Sequence, residues 1–127
     1  MELIRILLFN MDNKFYVSLE AARLLKEKGY NEKCTFAYTD ISNGSDINGR
    51  IVFNSNDYPV GIYPCPAKAE AIDWLESKGM CIVVFKRTID NKVEWRYVIH
   101  DHTEIISGFS TRLEAEGAAI INASKFL

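Results

Sequence analysis

Two histidines beside the end of a predicted strand are the residues whose types and spacing come nearest to a chemical site. His100 and His102 lie in the stretch "HDHTE" at 100–104, and residues two apart in an extended chain project from the same face. A predicted hairpin places Cys81 opposite His100. Because two imidazoles and a thiolate can bind zinc, Cys81, His100 and His102 form a candidate metal site.

A polar rim at the strand end is the alternative interpretation of these residues. A slip of one residue in the strand pairing would move Cys81 to the other face of the sheet. A short His-x-His pattern also has poor specificity for metal. We favour the rim, and we predict that the protein holds no metal and no cofactor.

Catalytic motifs with a recognisable spacing are missing from the sequence. It has no glycine-rich phosphate loop, nucleophile elbow or metalloprotease helix. The three cysteines are widely spaced and include no Cys-x-x-Cys pair, which fits reduced thiols in a cytosol. The sequence therefore predicts a cytoplasmic protein that is not an enzyme.

Length and composition predict a single globular domain over residues 1–127. Hydrophobic residues make up 48% of the chain and charged residues 25%, a balance too apolar for a disordered chain. The formal net charge of -2 gives no general attraction to a phosphate backbone. The apolar start, "MELIRILLF", is too short to cross a membrane; we interpret it as a buried strand and expect no membrane partner.

The first half of the chain predicts strands around one helix. This helix is capped by Ser18 and ends at Gly29. The predicted strands cover residues 3–9, 34–39 and 51–53.

Two segments of the first half predict irregular structure. Residues 42–50 are rich in Asn, Gly and Ser, which is typical of an exposed loop. Residues 54–66 contain all three prolines and are interpreted as a connector. This connector would join two subassemblies of the domain, residues 1–60 and 64–127.

The second half predicts the order helix, strand, strand, strand, helix. Its elements are a helix at 67–79, a hairpin closed by Asp90 and Asn91, a strand within 103–109 and a helix at 111–124. Closing the hairpin there gives favourable cross-strand pairs, namely Arg87 with Glu94, Val84 with Tyr97 and Ile82 with Ile99. The predicted fold class is α+β, an antiparallel sheet with helices.

Both faces of the predicted sheet are apolar. One face carries Ile82, Val84, Val93, Trp95, Tyr97 and Ile99, and the other carries Cys81, Val83, Phe85 and Val98. An apolar sheet face needs cover. The two helices of the second half can cover one face, which leaves the other for the N-terminal segment, a partner protein or a second copy of the chain.

Three stretches of the sequence carry a resemblance to a known family: "SLEAARLLKEKGYNEKC", "YPCPAKAEAIDWLESKG" and "RLEAEGAAIINA". Together they resemble a family of small uncharacterised proteins from phages and mobile elements of gut bacteria. The resemblance covers most of the chain. It implies an α+β protein in the cytoplasm of a bacterial host cell, and it implies no activity.

The second half is also similar in topology to the double-stranded-RNA-binding domain, whose ending the stretch "GFSTRLEAEGAA" resembles. In that family, lysines at the start of the last helix meet phosphates. The matching positions here are Arg112, Leu113 and Glu116, of which only Arg112 is cationic. This departure puts RNA binding in doubt.

These observations lead to two functional hypotheses. The first is a non-enzymatic protein-interaction module of phage or mobile-element origin that binds a host or phage protein, or itself, through a sheet edge, a sheet face or the 42–50 loop. The alternative is a nucleic-acid-associated module. Its binding site would require a basic patch formed by Lys86, Arg87, Lys92, Arg96 and Arg112.

Overall fold

The computed structural model describes residues 14–39 and 50–127, and the chain divides into two units, Met1–Ala67 and Lys68–Leu127. The first unit contains α1 (Leu19–Glu27), β1 (Cys34–Thr39), β2 (Arg50–Ser55) and β3 (Ile62–Pro64). The second contains α2 (Lys68–Ser77), β4 (Ile82–Ile89), β5 (Lys92–Ile99), β6 (Ile106–Phe109) and α3 (Arg112–Phe126). The predicted α+β class is confirmed. No helix in the described part of the chain is long and apolar enough to span a membrane.

Two sequence predictions lie outside the described residues. These are the strand at 3–9 and all but the last residue of the loop at 42–50. Arg50, the last residue of that predicted loop, begins β2.

The boundaries of α1 follow from the residues that cap it. Ser18 has an extended backbone, and its side-chain oxygen accepts a hydrogen bond from the Ala21 amide, at 3.2 Å. Gly29, just beyond the helix, has a φ of 97°, in the left-handed region that glycine adopts without steric cost. Leu25 is fully buried. The prediction of a helix between Ser18 and Gly29 is confirmed.

The first unit contains a three-stranded antiparallel sheet in the order β2-β1-β3. Strand β3 lies inside the segment that the prolines had suggested was a connector. Pro64 pairs with Ala37 at the end of this short edge strand, a position where proline is tolerated. The Val17 amide also donates to the Pro66 carbonyl at 3.1 Å. The segment is therefore hydrogen-bonded to the rest of the first unit as far as Pro66.

A turn anchored to α1 leads into β3. The Ile62 amide donates to the Pro59 carbonyl at 3.0 Å, and Gly61 supplies a positive φ of 84°. The Lys26 ammonium on α1 donates to the same Pro59 carbonyl at 2.7 Å and to the Ile62 carbonyl at 3.0 Å. Val60, at the tip of this turn, is 97% exposed.

The second unit contains the predicted hairpin in the predicted register. Strand β4 pairs with β5, and the observed partners include Arg87 with Glu94, Val84 with Tyr97 and Ile82 with Ile99. Asp90 and Asn91 form the connection, with φ values of 51° and 63°. Positive φ at both central residues is the signature of the type I′ turn, whose twist matches that of paired strands. Strand β6 completes the sheet in the order β4-β5-β6.

Helix α3 covers one face of this sheet. The Asn122 side-chain amide donates to the Tyr97 hydroxyl at 2.9 Å, and Tyr97 and Ile99 on the covered face are buried. The buried residues of α3 are mostly small: Ala115, Ala119, Ile120, Ala123 and Ser124. Small side chains let a helix approach its neighbours closely. Helix α2 also packs against α3.

We predict that replacing Asn91 with alanine lowers the free energy of unfolding by about 1 kcal/mol, because alanine disfavours the left-handed backbone of the turn. Asn91→Gly should stay closer to the wild type, since glycine adopts that conformation freely. The measurement is urea denaturation, with Asn31→Ala as the control at an exposed asparagine without a positive φ. Equal effects of Asn91→Ala and Asn31→Ala would contradict the assignment of the turn.

Candidate functional site

The face of the second sheet opposite α3 is named here the outer face. Because side chains alternate along a strand, the β4–β5 register assigns eight residues to it: Val83, Phe85, Arg87 and Ile89 on β4, and Lys92, Glu94, Arg96 and Val98 on β5. Val83 is 45% exposed and Ile89 is 40% exposed. Phe85 and Val98 are half-buried. The outer face therefore presents apolar surface to solvent.

Charged residues occupy the half of the outer face nearer the turn. Glu94 stands opposite Arg87 in the register. It also lies 3.6 Å from Arg96, between its Oε1 and the arginine Nε, and it accepts a hydrogen bond from the Gly108 amide at 3.2 Å. One carboxylate thus neutralises part of the positive charge around it, while Lys92 remains exposed.

The five residues of the predicted basic patch do not form one surface. Arg87, Lys92 and Arg96 belong to the outer face, whereas Lys86 stands opposite Trp95 on the other face. Arg112 lies on that second side as well, with its guanidinium carbon 6.0 Å from the centre of the Trp95 ring. The sheet itself therefore separates the cations into two groups.

Side chains at the start of α3 accept hydrogen bonds from nearby backbone amides. The Glu114 amide donates to the Thr111 hydroxyl, and the Ser110 amide donates to Glu114 Oε2, each at 3.1 Å. Thr111 is thus the N-cap of α3, and Glu114 differs from a standard capping box only in accepting from the residue before the N-cap. Arg112 Nε lies 3.4 Å from Glu116 Oε2, an ion pair one helical turn apart. The one cation retained at the phosphate-binding positions of the RNA-binding family is thus engaged by a carboxylate.

Lys68, on α2, places a second cation near the start of α3, and its ammonium is also hydrogen-bonded within the protein. Its ammonium donates to the Leu113 carbonyl at 2.9 Å. Gly117 leaves room for it, since a Cβ there would lie 3.3 Å from Lys68 Nζ. Burial lowers the pKa of Lys68, and the nearby carboxylates of Glu116 and Glu114 offset part of that effect.

The candidate metal ligands do not come together. The His100 amide donates to the Cys81 carbonyl at 2.9 Å, so these two residues are neighbours as predicted. The chain then turns, because the His102 amide donates back to the Ile99 carbonyl at 2.9 Å and Asp101 has a φ of 65°. The extended chain assumed for the metal site is therefore incorrect.

The side chain of His102 has a different neighbour. Its ring centre lies 5.1 Å from that of Phe126, at the end of α3. Within the residues that the structure describes, no three His, Cys, Asp or Glu side chains are placed to hold a metal ion. Asp101 was the one local signal of the turn, and a weak one, since aspartate is among the few residues that tolerate a positive φ.

The outward edge of β4 offers backbone groups that the sequence interpretation had not identified. The hydrogen bond between His100 and Cys81 shows that their pair is a bonded one. Bonded and non-bonded pairs alternate along an antiparallel ladder. The residues of β4 that direct their amide and carbonyl groups away from β5 are therefore Ile82, Val84, Lys86 and Thr88.

In the part of the chain that the structure describes, no strand pairs with this edge of β4. Comparisons of the chain with protein-family models, with curated proteins and with solved structures give no match. The helix, three strands and helix of the second unit are the order expected from the RNA-binding resemblance. The agreement concerns the arrangement of elements alone, and function must be argued from the residues themselves.

We predict that Lys68 makes stability depend on pH in the alkaline range. With its native pKa below the ordinary value of 10.5, Lys68 binds fewer protons in the native state than in the unfolded state. The free energy of unfolding should therefore rise with pH between those two pKa values, and Lys68→Met should weaken this rise.

Urea denaturation at pH 8 and pH 10 measures the difference between these two proteins. Lys125→Met, at an exposed lysine, controls for the loss of a positive charge. An unchanged difference between the two pH values in Lys68→Met would contradict the burial of the ammonium.

Proposed function

We propose that this chain is a non-enzymatic protein-interaction module that binds a partner protein through the outer face of the second sheet. The observation that carries the proposal is the exposure of Val83 and Ile89 on the face that α3 leaves open. Single exposed apolar residues are common on protein surfaces. Here Val83 shares one end of the outer face with half-buried Phe85 and Val98, and an apolar patch of this kind is typical of a binding surface. Ile89 lies apart from them, beyond Arg87 and beside the turn.

The size of the energetic gain is modest for each residue. Complete burial of an exposed valine or isoleucine side chain contributes about 1.5 to 3 kcal/mol, and Val83 and Ile89 are each a little under half exposed. A partner that covered both would gain roughly 1 kcal/mol from each. Such a contribution suits an interface in which apolar and charged residues alternate, and the charged residues here would be Arg87, Lys92 and Glu94.

The distribution of charge supports a protein partner over a nucleic acid. Binding to a phosphate backbone depends on several cations that reach it together. In this chain Arg112 is paired with Glu116, Arg96 lies beside Glu94, and Lys68 is held at the Leu113 carbonyl. The carboxylates beside Arg112 and Arg96 offset part of the positive charge that a phosphate would meet.

The sequence resemblance suggests where such a partner would be found. A protein of phage or mobile-element origin works in the cytoplasm of a bacterial host, so its partner would be a host or phage protein. A second copy of the chain is a further candidate, because an apolar face that serves one partner also favours self-association.

The proposal is tested by affinity purification of the tagged protein from host lysate, with and without nuclease, followed by mass spectrometry. Val83→Asp places a charge in the apolar part of the outer face. We expect a specific partner to survive nuclease with the wild type, and its recovery to fall about tenfold or more with Val83→Asp, as for a residue central to an interface.

Two control variants separate binding from general effects of the substitution. Val60→Asp places the same charge at a valine that is 97% exposed in the other unit, and it should leave recovery unchanged. Val83→Thr keeps a β-branched side chain on β4 and tests whether strand propensity accounts for the loss. Equal recovery with Val83→Asp, or loss of all recovered material with nuclease, would overturn the proposal.

A further inference from the structure

The outward edge of β4 has the properties of a docking site for an extended peptide. We propose that this edge takes up an acidic, extended segment of a partner protein as a fourth strand of the second sheet. The inference rests on the proposed function, since it names the kind of partner that such an interaction module would bind. Addition of a strand to an open sheet edge is a general mode of peptide recognition.

The geometry of the edge supports this mode. Ile82, Val84, Lys86 and Thr88 each direct one amide and one carbonyl away from β5. They span about 20 Å at the rise of a strand, which matches a peptide of roughly seven residues. An edge of this length with unpaired groups is usually blunted or covered in monomeric proteins, and none of the described strands covers it here.

The side chains next to the edge determine what the segment must contain. Ile82 to Phe85 form an apolar half of β4, and Lys86 and Arg87 form a cationic half with no acidic residue on the strand. Lys86 and Arg87 are both exposed. Lys86 projects on the face that α3 covers, whereas Arg87 projects on the outer face opposite Glu94, so the positive charge beside the edge on the α3 side comes from Lys86.

Charge complementarity therefore favours an acidic segment over a second copy of the chain. A second β4 would bring two more cations and no carboxylate to the edge. An acidic segment would instead place carboxylates beside Lys86, on the face opposite Val83 and Phe85, and complementary charges across an interface help to select partner and register. Alternating apolar residues in the same segment would extend the apolar surface of Val83 and Phe85.

The test uses a defined probe, an acetylated and amidated eight-residue peptide in which valine alternates with glutamate. A peptide with lysine in place of glutamate is the matched control. Each is titrated into the full-length, isotope-labelled protein, and amide hydrogen exchange is followed by NMR. We expect the glutamate peptide to protect the amides of Val84, Lys86 and Thr88, with little change at Val83 and Phe85, whose amides already bond to β5.

Two variants of the protein test the backbone and the charge separately. Thr88→Pro removes an amide from the edge without removing one from the β4–β5 ladder, and proline is tolerated on edge strands; Thr88→Val keeps the amide. We expect Thr88→Pro to weaken binding of the glutamate peptide roughly fivefold, as for one lost hydrogen bond, and Thr88→Val to have little effect. Lys86→Glu should weaken it by a similar factor, about fivefold, through lost attraction and added repulsion.

Several outcomes would overturn the inference. They are equal protection by the lysine and glutamate peptides, absence of protection at the edge amides, and binding that does not respond to Thr88→Pro. Protection of the same amides in the protein alone, together with sedimentation as a dimer, would identify a second copy as the occupant.

These results are independent of the affinity purification. If the peptide fails while a partner is still lost with Val83→Asp, the outer face is the binding site and the strand-addition mode is wrong. If both fail, the proposed function itself is wrong.

Discussion

The turn at Asp90 and Asn91 is the constraint on which the second unit depends. Its two residues have positive φ, and a two-residue turn of this kind joins its strands in one register. That register determines which face α3 covers, which face keeps Val83, and which backbone groups β4 directs outwards. A slip of one residue in this register would change all three, because side chains and hydrogen-bonding groups alternate at every position of a strand.

The composition of α3 explains how closely this helix packs on one face of the second sheet. Its buried surface consists mainly of alanines with Ile120, so the helix lies close to the sheet and is anchored by the bond from Asn122 to Tyr97. A single helix packed in this way buries the side chains of Tyr97 and Ile99, but it cannot contact Val83 on the opposite face of the sheet. The outer face is thus a consequence of the same packing that makes the core, and it needs no separate structural cause.

The sequence predicted the parts of the fold that depend on local signals. The hairpin register followed from alternation and a turn dipeptide, and the bounds of α1 followed from Ser18 and Gly29. Strand β3 escaped prediction because its evidence is a long-range pairing with β1, and Pro64 argued against it locally. The metal hypothesis assumed an extended chain beyond Ile99, where a turn through Asp101 separates His102 from Cys81. The edge groups of β4 could have been deduced, since a two-residue turn fixes which pairs are hydrogen-bonded.

The second unit also illustrates why an arrangement of elements does not determine what a protein binds. Phosphate recognition requires cationic groups that can contact the phosphates. The RNA-binding family places such groups at the start of its last helix, which corresponds to α3 here. In this chain the same region has Glu114 hydrogen-bonded to the Ser110 amide and Glu116 paired with Arg112, so its charges stabilise the helix. Among the described residues of the second unit, exposed apolar residues and outward backbone groups lie on the outer face and along β4. Because binding follows the groups that folding leaves unsatisfied, those two surfaces carry the functional argument.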